Sequence, residues 1–276
     1  MRKRTVNFEM EYHLGDCLTQ VHWMKKSCAI QNESDFNFYI KPEYHKECEL
    51  YAGHGGVNAK RIHILPFSER PENALPCWIT PVIKEQANAT PRPHNTMGGT
   101  RNWELDYPAL FVRLGEIIAA SCGLENPIKT KHDMVFDLPV TPRRKDCPDG
   151  PFKFLVINAP SQCNEFDYRA EDWEWLLREC SKRGRTICTH PNKAGVFSTW
   201  ENGWSTMDLG NIAHRAENVI AIHTGPLWPC INTRSINTVQ FWLICTRGHY
   251  FAYHDRFHWA RNFEAAKMLL DAKGIL

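Results

Sequence analysis

Two short stretches carry side chains that could do chemistry together. Leu14-Gly15-Asp16 comes just after an alternating apolar run, Val6, Phe8 and Met10. His223-Thr224-Gly225-Pro226-Leu227 follows the apolar run Val219-Ile220-Ala221-Ile222. A carboxylate at the head of a helix can cap that helix, or it can face a cleft and take a proton from a hydroxyl as a general base. Gly225 lets the backbone come close to a ligand, and Pro226 suits the first turn of a helix, where its missing N–H is not missed. The N–H groups of Thr224, Gly225 and Leu227, with the positive end of a helix behind them, would then hold an anion such as a phosphate. His223, if protonated, adds positive charge at the same place. The same residues also read as an ordinary strand-to-helix turn, with Asp16 only a cap.

The flanking pattern says what must position them. Residues 5–10, 36–40 and 61–66 read as strands, and residues 16–30 and 42–50 as helices, with Gly15 making the sharp exit from the first strand. Such alternation predicts a doubly wound α/β unit. His54-Gly55-Gly56 between them reads as a loop, without the further glycines or the lysine of a phosphate-binding motif. Residues 69–104 are chopped by Pro71, Pro76, Pro81, Pro91 and Pro93. A long irregular segment is often functional, which makes it an acceptor-side loop offering His94, Arg101 and Trp103, or else a plain surface excursion. Residues 108–122 form a helix stopped by Gly123, and residues 133–138 read as extended.

Pro139, Pro142, Pro148, Pro151 and Gly150 cluster with charges and almost no apolar residue, so residues 139–151 read as a linker. That divides the chain into 1–138 and 152–276. Arg143-Arg144-Lys145 within it meets phosphate or simply lies in solvent. The second half alternates again: strands at 152–158 and 185–189, helices at 170–183 and 207–215, and a central strand ending at His223. Residues 236–250 supply a helix and a strand, and residues 260–272 a closing helix. The loop 190–204 holds Lys193 and Trp200, and Lys193 or Arg185 could reach phosphates. His254 and His258 have the i, i+4 spacing of zinc ligands on a helix, but no third ligand accompanies them, so packing and surface positions are expected and no metal site.

Composition narrows the class. The chain has 276 residues, comfortable for two domains, with 43% hydrophobic and 23% charged residues, as in an ordinary globular protein. A formal net charge of +2 is too small to argue for nucleic acid. Eleven cysteines lie scattered with no Cys-x-x-Cys pair, which argues against a disulfide framework and a zinc ribbon. Met1-Arg2-Lys3-Arg4 leads into no apolar stretch of a secretion signal, and no run approaches a membrane span. A reduced, cytoplasmic protein is expected.

Taken together, Leu14-Gly15-Asp16 after the first strand and Ile222-His223-Thr224-Gly225-Pro226 late in the chain resemble the motifs of the heptosyltransferase-like glycosyltransferases, family 9. The late motif departs from that family in having His223 where it has Asp, and Trp228 where it has His. The resemblance implies a GT-B fold, two Rossmann-like domains facing across a cleft, and an inverting transfer of sugar from a nucleotide-diphosphate sugar. It casts Asp16 as catalytic base, with Gly15, Arg101 and Trp103 on the acceptor side. It puts Ser161, Lys193, His223, Thr224, Gly225, Pro226 and Leu227 on the donor side. No cofactor is implied beyond the donor substrate. A glycan or lipopolysaccharide-type hydroxyl is the first acceptor reading. A modified base in DNA, as for some phage enzymes, and a non-catalytic nucleotide-sugar-binding protein stand beside it.

Overall fold

Every strand in the two main sheets runs parallel to its neighbours. A computed structural model of the chain describes residues 4–30, 34–53, 60–77, 105–138, 144–161, 166–247, 249–251 and 253–276. The front sheet has the order β3-β2-β1-β4, from β1 (Arg4–Met10), β2 (Ser34–Ile40), β3 (Ile62–Pro66) and β4 (Leu75–Pro76). The rear sheet has the order β12-β10-β9-β6-β7-β8. Its strands are β6 (Phe152–Ile157), β7 (Thr186–Cys188), β8 (Phe197–Ser198), β9 (Ala216–Ile222), β10 (Phe241–Cys245) and β12 (Phe257–Ala260). A parallel sheet must have its faces covered by the helices that cross between its strands. The sequence obeys this: all but one residue of β9 is buried, and every residue of β10 is.

The two halves are knitted together rather than merely tethered. β5 (Leu105–Asp106) pairs with β11 (His249–Tyr250), and Phe136 forms a parallel bridge to Asn232. The larger apolar core runs from Phe8 and Phe36 in front to Trp242 and Ile244 behind. A second core fills the other face of the rear sheet beneath Trp173 and Phe263. Residues 139–143 of the expected linker lie outside the described residues. The rest of it is docked. Arg144 pairs with Asp146 at 3.0 Å and Asp208 at 3.4 Å, and Trp204 Nε1 donates to Asp146 at 3.0 Å. That guanidinium pulls the Asp146 carboxyl below its ordinary range.

Helix α1 (Leu14–Ile30) has 11 of its 17 residues buried, so it lies inside the molecule rather than on it. It shelters His22, whose ring stacks on Phe136 at 4.8 Å. Its Nε2 faces the Asp133 carbonyl at 2.7 Å and therefore carries the proton, while the Tyr51 hydroxyl donates to Nδ1 at 2.5 Å. The segment expected to be extended at 133–138 begins as a 3₁₀ turn, Lys131–Met134, held by a Thr130/Asp133 capping box. Helix α2 is Pro42–Gly53, and α3 is Tyr107–Cys122, ended by Gly123 at φ 60°. Helix α4 spans Ala170–Arg183, with Glu171 and Asp172 in its first turn and Lys182 and Arg183 in its last, matching the helix dipole.

Burial lowers the His22 pKa from 6.5 to about 3. The folded state therefore holds the ring neutral, while the unfolded chain binds a proton near 6.5. This contribution to stability is whole above that pH and is lost as pH falls toward 3. The slope is about 1.4 kcal/mol per pH unit for one proton. Urea unfolding measured between pH 3 and 6.5 should lose that slope in His22→Gln. An unchanged slope in the variant would show that other groups carry the acid sensitivity.

Candidate active site between the two sheets

The carboxyl ends of the central strands of both sheets face one another, which is where open α/β sheets hold ligands. β1 runs into His13, Leu14, Gly15 and Asp16, and β9 into His223, Thr224, Gly225 and Pro226. All eight line one cavity of about 630 Å³, a size suited to a nucleotide-sized ligand. The loop after β6 adds Ala159, Pro160 and Ser161, and the end of β7 adds Thr189 and His190.

The two bends touch back to back. A methyl group added at Gly15 would lie 3.0 Å from Cδ1 and Nε1 of Trp228 and 3.5 Å from Gly225 Cα. One added at Gly225 would lie 3.0 Å from Leu14 Cβ and 3.2 Å from the Gly15 nitrogen. Neither glycine has a positive φ. What demands glycine here is space, not an unusual backbone angle. Gly225 lines the cavity, and its missing side chain also makes room for the opposite lobe.

Trp228 secures the contact. Its ring meets Phe111 edge-on at 5.3 Å and packs on Tyr107 at 5.7 Å and Phe251 at 5.8 Å. Tyr107 in turn meets the His223 ring edge-on at 4.3 Å, and Phe251 meets it at 5.0 Å. His223 is thereby held 5% exposed at the end of β9. Asp16 is partly buried in the first turn of α1, where its carbonyl accepts the Thr19 hydroxyl at 2.8 Å. Burial pushes the neighbouring Cys17 thiol well above its ordinary pKa, so it remains protonated beside Asp16.

Several expectations are corrected. Leu227 is fully buried, and its N–H donates to the Thr224 carbonyl at 3.0 Å, so it is not offered to an anion. The helix expected after Pro226 is a single turn, α6 (Leu227–Cys230), because the chain leaves helical geometry at Ile231, φ −85° and ψ 82°. Its dipole is correspondingly small. Lys193 is exposed, with its backbone N–H on Glu174 at 2.7 Å, and neither it nor Arg185 lines the cavity. His258 lies on β12 and His254 in a turn, its Nε2 on the Ile236 carbonyl at 3.0 Å, so the helical i, i+4 reading fails. Among the described residues no group of three or more His, Cys, Asp or Glu is arranged to hold a metal ion. Arg101, Trp103, His94, His54-Gly55-Gly56 and 162–165 lie outside the described residues.

Other wall residues were not singled out from sequence. Glu47 of α2 accepts from Thr206 N at 3.0 Å and from the Thr206 hydroxyl at 2.6 Å, at the N-terminus of α5 (Thr206–Ala213). The partners are 159 positions apart, so no local pattern announces them. Glu43 and Glu47 join Asp16 on the front wall, and among the described lining residues there is no lysine or arginine. On the rear wall the His190 ring lies 5.2 Å from that of Trp200, which is 69% exposed. Burial lowers the His190 pKa, keeping that ring neutral.

Since Leu14 and the Gly15 backbone cannot yield without moving α1, Gly225→Ala should lower stability by about 1–3 kcal/mol through overpacking. Thermal melts are the check. A variant melting at or above the parent temperature would mean the two bends are not in enforced contact.

No protein-family model and no curated protein matches the chain. Solved structures do. The E. coli heptosyltransferase WaaC with ADP-2-deoxy-2-fluoro heptose superposes with a TM-score of 0.52 at 10% identity, over 98% of this chain and 99% of that one. The same enzyme with ADP gives 0.51 at 10% identity, over 98% of each chain. The glycosyl transferase family 9 structure from Veillonella parvula gives 0.52 at 9% identity, over 99% of this chain and 90% of that one. The likeness extends through both sheets and the cleft between them, and the chain has the two-lobed GT-B fold of the heptosyltransferase-like glycosyltransferases.

Proposed function

We propose that the chain is an inverting glycosyltransferase that moves a sugar from a nucleotide-diphosphate sugar to an acceptor hydroxyl. The observation that carries this reading is the shared cavity, with Asp16 on its front wall and the Thr224–Gly225 bend on its rear wall. Residues 1–138 form the acceptor-side lobe, residues 152–276 the donor-side lobe, and 139–151 the linker. The likeness to structures holding ADP and an ADP-heptose analogue supports a nucleotide sugar as donor. In this reading a glycan of the lipopolysaccharide type is the acceptor and the cytoplasm the compartment.

In the reaction Asp16 takes the proton from the acceptor hydroxyl as its oxygen attacks the anomeric carbon. The bond from that carbon to the diphosphate oxygen breaks on the opposite face, inverting the centre, and the nucleoside diphosphate leaves with the electron pair. Main-chain N–H groups of Thr224 and Gly225 meet the growing charge, with Ser161 beside them and His223 behind. Such preorganised donors act on charge as it develops in the transition state. The front wall, with its three carboxylates, suits a neutral or cationic acceptor better than a nucleic acid backbone.

Asp16→Ala should lower turnover by about 10²–10⁴-fold, the usual worth of a general base, while donor binding by calorimetry is retained. A panel of nucleotide-diphosphate sugars, screened by thermal shift and then by release of nucleoside diphosphate with candidate acceptors, identifies the donor to use. Turnover at the parent rate in Asp16→Ala would remove the base assignment.

A further inference from the structure

At the carboxyl end of β6, Asn158 is only 2% exposed, and its side chain touches no part of the cavity surface. Its Oδ1 nevertheless accepts three hydrogen bonds: from Thr189 N at 3.2 Å, Thr189 Oγ1 at 3.0 Å and His190 N at 2.9 Å. Its own backbone N–H donates to Thr189 Oγ1 at 3.0 Å. The pairing of β6 with β7 ends here: its register runs to Val156 and Cys188, and Thr189 N makes the last ladder bond, to the Val156 carbonyl at 3.0 Å. Past that point one amide side chain takes over the work of the ladder. Both chains that leave it form cavity wall, Ala159-Pro160-Ser161 on one side and Thr189-His190 on the other.

We propose that Asn158 is a positioning residue for the donor. It ties the loops after β6 and β7 into one rigid wall, so that Ser161 and the His190 ring keep a fixed spacing when the donor's nucleoside diphosphate enters. The role at the donor rests on the sugar-transfer reading; the clamp itself does not. The Thr189 N–H also has the Val156 carbonyl at 3.0 Å, but removing the Asn158 amide takes from the Thr189 hydroxyl and the His190 N–H the acceptor that joins the two loops. Loss of the clamp loosens ground-state binding of the donor while leaving Asp16, on the other lobe, untouched. The signature is a change in KM rather than in kcat.

Hydrogen exchange and kinetics together test this. In Asn158→Ala the amide of His190 should exchange about tenfold faster or more, while those of Val219–Ile222 in β9 keep their protection. With the donor chosen by the panel, KM for the donor should rise about tenfold with kcat within about threefold of the parent. If Asn158→Ala does not fold, Thr189→Val, which removes the hydroxyl and keeps the shape, should show the same pattern more weakly. Unchanged exchange at His190, or exchange raised equally throughout the rear sheet, overturns the clamp. Faster local exchange with an unchanged donor KM overturns the positioning role. The predicted exchange in a protein that binds no nucleotide supports the clamp and counts against the sugar-transfer reading instead.

Discussion

The contact on which the site depends is the close approach of two glycine bends, one from each lobe. Gly15 and Gly225 stand near enough that a methyl group on either would press on fixed atoms of the other side. That proximity places Asp16, one residue beyond Gly15, across from the end of β9. The closeness of the bends is itself a packing contact. Packing holds them, through Trp228 and the rings around it, and interiors packed at that density transmit small displacements rather than absorbing them. A cavity so framed keeps its two walls in register.

Polar ties then act at the rim and behind the walls. Glu47 reaches from the front lobe to the first turn of α5, where a carboxylate is favoured by the unsatisfied N–H groups and the dipole. Asn158 does a comparable job out of sight, closing the end of the rear sheet. Arg144, Asp146, Trp204 and Asp208 fasten the start of the rear lobe to the same helix end. The apolar contact sets how near the lobes come, and the hydrogen bonds set how the wall segments lie. These are separate tasks carried by separate residues, and of those named in this paragraph only Arg144 was considered from sequence, as a phosphate contact or a solvated charge.

Much of the fold was legible because it is local. Ala170–Arg183 was readable to the residue, since acids open it, bases close it and Gly184 follows. The parallel strands showed as short runs of β-branched and aromatic residues, and Asp16 and the Thr224–Gly225 bend stood out because each breaks such a run. Other features were not legible, for physical reasons. Pro226 correctly marked a helix start, yet the chain leaves helical geometry at Ile231 after one turn, and the Leu227 N–H went to Thr224 instead of facing a ligand. Residues 133–138 looked extended because their apolar pattern masked the Thr130/Asp133 capping box just before them. β12 is four residues long and is made a strand by β10 beside it, so His258 on it and His254 in the turn before it mimicked a helical pair. Lys193 was attractive for its charge alone, and charge says nothing of which way a loop faces. Glu47 and Thr206 meet only because the lobes do.

The central claim is that one cavity presents an acid from the front lobe to an anion-holding bend from the rear lobe. A crystal structure with a nucleoside diphosphate bound tests it most directly. The account predicts the terminal phosphate against the backbone of Thr224 and Gly225, with the Asp16 carboxylate facing it across the open part of the cavity. A nucleotide seated on an outer face of the rear sheet, or one whose phosphates point away from Gly225, would contradict it.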